Sequence, residues 1–153
     1  MKPTERLREL NLELPAVPKP VAAYVPAVRV GSLLFTSGQL PFVEGALKYP
    51  GKVGAEVSPQ DAYEAARISA LNGLGTIAGE IGDLNRIRRV VRLGVFVNSA
   101  PGFNQQPQVA NGASDLMLKI FGEKGGHART AVGVAELPLN SSVEVEMVVE
   151  VED

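Results

Sequence analysis

Residues 128–151 read ARTAVGVAELPLNSSVEVEMVVEV, and the fold turns on how this stretch is arranged. From Val143 to Val151 every odd position is apolar (Val143, Val145, Met147, Val149, Val151), while the even ones carry Glu144, Glu146, Val148 and Glu150. Side chains of a strand alternate between faces, so this is a strand with one face buried. Upstream, Arg129 to Glu136 form a second strand, in which Thr130, Val132 and Val134 alternate with Arg129, Ala131, Gly133 and Ala135. The link LPLNS predicts that the two close a hairpin. A one-residue slip reverses every side chain, so burying both β-branched sets together places Arg129 on the face of Glu144 and Glu146. A guanidinium among such small neighbours cannot shed its charge and needs an anion, from a glutamate or from a ligand.

Working outward, Arg86 to Ala100 (RIRRVVRLGVFVNSA) predicts a long strand, and a helix is expected from about Asn111 to Phe121. Ser58, Pro59 and Asp61 mark a helix start, with a hydroxyl at the N-cap, proline in the first turn and a carboxylate after it. An alanine-rich stripe carries that helix to about Gly79 and suits close packing on a sheet. Val28, Val30, Leu33, Leu34 and Phe35 predict two short strands turning at VGS, and the glycine- and proline-rich stretch from Pro41 to Val57 a loop or hairpin. Thr4 is expected to cap a short helix to about Leu10, followed by an extended run, LPAVPKPVAAYVP. The order β-β-α-β-α-β-β over residues 1–153 predicts one α+β domain with its helices on one face of the sheet.

Composition narrows the chemistry. The 153 residues include no cysteine and one histidine, which excludes disulfides, thiolate nucleophiles and multi-histidine zinc sites. A net charge of −2 argues against recruitment by nucleic acid or anionic membranes. No apolar run reaches the roughly 20 residues that span a bilayer, and the first residues, MKPTERLRELNLELP, lack the apolar core of a signal peptide, so a cytoplasmic protein is expected. Gly73 to Ala78, GLGTIA, matches the dinucleotide-binding pattern in letters only. It falls inside the helix beginning at Pro59, where no phosphate-binding turn exists, and is read as a close-packing element. Arg86, Arg88, Arg89 and Arg92 are read as a solvated strand edge, and His127 as a surface or hydrogen-bonding residue. An ion pair between Arg129 and a glutamate at an interface remains the structural alternative to ligand binding.

Three segments, AAYVPAVRVGSLLFTSGQLP, VVRLGVFVNS and HARTAVGVAELPLNSSVEVEMVVEV, resemble the RidA family, also known as YjgF or L-PSP, in a longer branch of it. The resemblance implies a chorismate-mutase-like α+β fold and a homotrimer with sites in the clefts between subunits. It implies hydrolytic deamination of 2-imino or 2-enamino acids without metal or cofactor. It assigns the substrate carboxylate to Arg129 and the positioning of the attacking water to Glu144. Tyr24, Ser37, Gly38, Thr130 and Ala131 are the matching substrate-binding positions. Ala131 stands where many members have cysteine, and Asn111, or alternatively Ser114, corresponds to the family's helix asparagine. A non-catalytic carboxylate-binding or regulatory protein is the alternative implied by the same pocket, and an endoribonuclease a further one.

Overall fold

The computed structural model describes residues 1–16 and 22–153. In chain order the elements are α1 (Pro3–Glu9), β1 (Ala27–Val30), β2 (Leu33–Thr36), β3 (Phe42–Val43), β4 (Ala46–Leu47), α2 (Pro59–Ile81), β5 (Ile87–Asn98), α3 (Gln106–Phe121), β6 (Ala128–Val134) and β7 (Val143–Val151). Five strands form a mixed sheet in the order β1-β2-β7-β5-β6, and β3 and β4 make a separate hairpin. Helices α2 and α3 pack on one another and on the same face of that sheet. The architecture is the expected chorismate-mutase-like α+β fold. The middle of the proline-rich run lies outside the described residues.

Strands β6 and β7 do not form the expected hairpin. Each pairs instead with β5, β6 in parallel on one edge and β7 antiparallel on the other. Residues 135–142 cross the end of β5 between them, through left-handed Leu139 and Asn140 (φ 57° at both). The parity of β6 is therefore set by β5: Arg129 lies beside Leu93, Ala131 beside Val95 and Gly133 beside Val97, all on the helix face. Glu144 and Glu146 lie on the opposite, open face, across from Phe96 and Gly94. The expectation that Arg129 shares a face with Glu144 and Glu146 is thus overturned. The reason is steric, because α3 sits low over β6: a Cβ on Gly133 would stand 2.8 Å from Gln106 Nε2. Small residues fit under the helix, and Thr130, Val132 and Val134 turn to the open side.

Strand β5 departs from simple alternation as well. Register shifts between Ile87 and Arg89 and between Val90 and Arg92 let Ile87, Val90 and Leu93 all reach the core, three residues apart. Such bulges turn the strand locally. Strand β6 pairs with β5 only from Arg92 onward, so β5 is interior there, whereas from Ile87 to Val91 it pairs with β7 alone and Arg88 and Arg89 are exposed beside the other edge.

Helix boundaries follow local chemistry. Ser58 Oγ accepts the Asp61 N–H at 3.1 Å, capping α2 as expected, and α2 runs on to Ile81. Helix α3 begins at Gln106, five residues before the expected start, with Pro107 in its first turn. In α1 the N-cap is Lys2 rather than Thr4; the Glu5 carboxylate accepts the Lys2 N–H, and Thr4 bonds Asn85 instead. Within α2, a Cβ on Gly73 would stand 2.7 Å from Met147 Cε, and one on Gly75 would strike the Pro15 carbonyl. The glycines of GLGTIA therefore serve close packing.

At the α2–α3 contact a Cβ on Gly112 would collide with the Tyr63 carbonyl oxygen, backbone against backbone. Gly112→Ala is expected to push the helices apart and cost about 1–3 kcal/mol, a fall of roughly 3–10 °C in Tm by thermal denaturation. An unchanged Tm would show that the two helices are not held at this spacing.

Candidate functional site

The structure sorts the sequence-predicted residues into two groups on opposite faces of the sheet. The first is built around Arg129 on β6 and the facing turns of α3. Arg129 Nη1 donates to Asn111 Oδ1 at 2.8 Å and to Ser114 Oγ at 3.0 Å. Asn111 and Ser114, three apart, share one face of α3. Ser114 Oγ lies 2.9 Å from His127 Nε2, and His127 Nδ1 lies 2.6 Å from the Gly125 carbonyl oxygen. His127 is thus a hydrogen-bonding residue, as expected, joined to Arg129 through Ser114. Among the described residues no carboxylate forms a salt bridge with Arg129. Its partners are neutral, and its Nη2 and Nε hydrogens take none among those residues.

The second group lines a cleft of roughly 700 Å³ that includes Tyr24, Ser37, Gly38 and Glu144. Strand β2 delivers the SGQ turn to the cleft. There Ser37 N–H donates to the Pro26 carbonyl at 2.8 Å, Ser37 Oγ–H donates to the Val25 carbonyl at 2.6 Å, and Gln39 pairs with Val145. A Cβ on Gly38 would collide with the Glu144 carboxylate, so glycine at 38 makes room for the glutamate. Burial raises the Glu144 pKa above the usual glutamate range, with repulsion from Glu146 adding to the shift. Tyr24 is exposed at the rim, and Leu40, Phe42, Pro138 and Leu139 make the wall largely apolar.

Two predicted positions fall elsewhere. Thr130 faces the open side, where its hydroxyl accepts Arg92 Nη2–H at 2.9 Å. Ala131, on the helix face, is partly buried against the core. Sequence reasoning missed Asn72, which is 7% exposed and lines the cleft while donating to the Leu40 and Phe42 carbonyls at 2.9 and 3.0 Å. A polar residue within the alanine stripe was its signal. It also missed Lys52, whose ammonium donates to Asn98 Oδ1 at 2.9 Å and to the Ala135 carbonyl, tying the crossing segment 135–142 to the sheet.

The arginine cluster at the start of β5 and just before it is partly engaged by the protein. Arg86 donates to the Ile81 and Glu152 carbonyls, Arg89 to the Gly126 carbonyl, and Arg92 faces Glu146 at 3.8 Å. Among the described residues no three His, Asp or Glu side chains converge as metal ligands, and no helix is long and apolar enough to cross a membrane.

The family model described as "YjgF/chorismate mutase-like, putative endoribonuclease" matches residues 4–151. Protein TCP17 of Trypanosoma cruzi is 47% identical over 145 residues, covering 94% of this chain and 91% of that protein. A crystal structure from Shewanella oneidensis, described as a putative endoribonuclease, superposes with a TM-score of 0.95 at 38% identity, covering 99% of this chain and 100% of that one. The 2-iminobutanoate/2-iminopropanoate deaminase of Dermatophagoides farinae is 28% identical over 142 residues, covering 92% of this chain and 95% of that protein.

The raised pKa of Glu144 has a consequence for stability. The folded state binds this proton more tightly than the unfolded chain, so stability falls as pH rises from the ordinary glutamate value through the raised one. Glu144→Gln is therefore expected to raise Tm at pH 7–8. The carboxylate is half open to water, so the gain is small, about 1–3 °C. It should vanish below the ordinary glutamate pKa; a gain that persists there would assign the effect to packing.

Proposed function

The chain belongs to the YjgF/RidA family, and on that premise we propose that it is a hydrolytic deaminase of 2-imino and 2-enamino acids, acting in clefts between the subunits of a homotrimer. The observation that carries the proposal is Arg129: a half-buried guanidinium held by Asn111 and Ser114, both neutral, with no carboxylate partner among the described residues. A cation fixed in this way suits a ligand carboxylate, which it can bind through two parallel hydrogen bonds. The Dermatophagoides relative supports the substrate class.

Arg129 and Glu144 lie on opposite faces of one chain, so in this proposal they act together across subunits. Arg129 of one subunit meets the Tyr24–Ser37–Glu144 cleft of its neighbour. The open sheet face supports association, because Val28, Val30, Phe35 and Val132 all leave 40% or more of their surface exposed. Apolar exposure on that scale marks an interaction surface.

With the carboxylate anchored, the iminium carbon stands before Glu144. The Glu144 carboxylate takes a proton from water as the new C–O bond forms at that carbon. The proton passes to the nitrogen of the resulting carbinolamine, and the C–N bond breaks with its electron pair leaving as ammonia while Glu144 takes the hydroxyl proton and the C=O bond of the 2-keto acid closes; that proton then passes to ammonia, so iminium and water give 2-keto acid and ammonium. Nothing is oxidised or reduced. The raised pKa suits the task, since a desolvated carboxylate is the stronger base. The apolar wall of Leu40, Phe42, Pro138 and Leu139 receives the substrate side chain. The protein contacts made by Arg86, Arg89 and Arg92 favour this small-molecule reading over RNA cleavage.

In an assay that generates a 2-imino acid in situ and follows keto-acid release, Arg129→Ala is expected to lower kcat/KM about 100-fold, matching loss of a charged hydrogen-bonded anchor. Glu144→Gln is expected to lower kcat about 10²- to 10⁴-fold. Wild-type kcat/KM should fall as acid protonates Glu144. Hydrolysis no faster than in buffer would overturn the proposal.

Sedimentation is expected to give three times the 16.2 kDa chain mass. Val132→Asp, which puts a charge on the open face, is expected to shift the mass toward one chain with loss of activity. A fully active monomer would exclude sites shared between subunits.

A further inference from the structure

We infer that His127 is a positioning residue which, through Ser114, fixes Arg129 so that its Nε–Nη2 edge, and not its Nη1 end, receives the ligand carboxylate. The inference rests on the reading of Arg129 as a carboxylate anchor and adds which edge of the fork is offered and what holds it there.

Nη1 of an arginine has two hydrogens, and here each has an acceptor, Asn111 Oδ1 at 2.8 Å and Ser114 Oγ at 3.0 Å. Nη1 is therefore fully occupied. Three donors remain, two on Nη2 and one on Nε, and a carboxylate bound through both oxygens must use these two nitrogens.

The direction of the relay follows from its far end. The Gly125 carbonyl can only accept, so His127 Nδ1, 2.6 Å away, carries a hydrogen. In the neutral ring Nε2 is then an acceptor, and the donor opposite it is the Ser114 hydroxyl at 2.9 Å. With its one hydrogen directed at His127, Ser114 Oγ turns lone pairs toward Arg129. Without the imidazole the hydroxyl is free to rotate, and its hydrogen can face the guanidinium in place of a lone pair. Ser114 is buried and His127 half-buried, so water substitutes poorly for either partner. The chain from Gly125 through His127 and Ser114 to Arg129 links the segment before β6, helix α3 and β6 in one orientation.

The test measures binding of 2-oxobutanoate, a 2-keto acid probe, by titration calorimetry, with Tm as the check on folding. Ser114→Ala and His127→Phe, which keeps a planar ring without the relay, are each expected to raise Kd about tenfold. His127→Gln can donate to Gly125 and accept from Ser114 through its amide and should restore Kd to within about threefold of wild type. The links act in series, so the double variant should bind no more weakly than Ser114→Ala alone. A Kd unchanged in Ser114→Ala, additive losses in the double variant, or His127 variants that lower Tm without altering Kd would overturn the relay. A crystal soaked with the same keto acid should place its carboxylate against Nε and Nη2; a carboxylate that displaces Asn111 from Nη1 would overturn the assigned edge. Binding that follows this pattern without imine turnover would leave the relay standing and remove the deaminase proposal, whereas turnover with unmoved Kd values would do the reverse.

Discussion

From Arg92 to Val97 strand β5 is paired along both edges, and the two faces of the molecule are decided there. β6 and β7 each take their register from β5, so Leu93, Val95 and Val97 determine which neighbours look toward the helices and which look away. Arg129 reaches α3 because it stands beside Leu93, and Glu144 reaches the open face because it stands beside Phe96. The separation of the cation from the carboxylate is thus a property of strand pairing and needs no contact between the two side chains. It also prevents mutual neutralisation within a chain, since a glutamate on the helix side would meet the guanidinium directly and compete with any ligand.

Much of this was legible in the sequence. The alternation from Val143 to Val151, the Ser58-Pro59 helix start and the element order follow from local periodicity and capping. Strand partners do not. LPLNS has the length and composition of a hairpin link, yet it carries the chain across the end of β5, a choice set by long-range pairing. The parity of β6 failed for a related reason. β-branched residues usually mark the buried side of a strand, but here a closely seated α3 requires Ala131 and Gly133 beneath it, and the valines face outward. The bulges in β5 were invisible because an apolar spacing of three, Ile87, Val90 and Leu93, has no counterpart in a regular strand.

The proposed site residues were identified by resemblance more than by pattern, and the structure gives their placement a physical basis. Asn111 and Ser114 belong together because the pitch of α3 aligns them over β6. Ser37 and Gly38 come to Glu144 because the turn after β2 pairs with β7 through Gln39 and Val145, and the bonds from Ser37 to the Pro26 and Val25 carbonyls hold the segment that follows Tyr24 against that turn. Lys52 and Asn72 escaped notice because isolated polar residues leave no periodic trace. One anchors the segment 135–142 and the other the backbone at Leu40 and Phe42, so both support the walls of the cleft from behind.

The contact between Gly38 and Glu144 reaches beyond the present sequence. A methyl group at position 38 cannot coexist with the carboxylate as it now lies, while a shorter residue at 144 would free that space. The two positions, distant along the chain, therefore constrain each other in descent: a lineage that gives up the acid loses the requirement for glycine, and one that acquires a side chain at the turn must first move or abandon the acid.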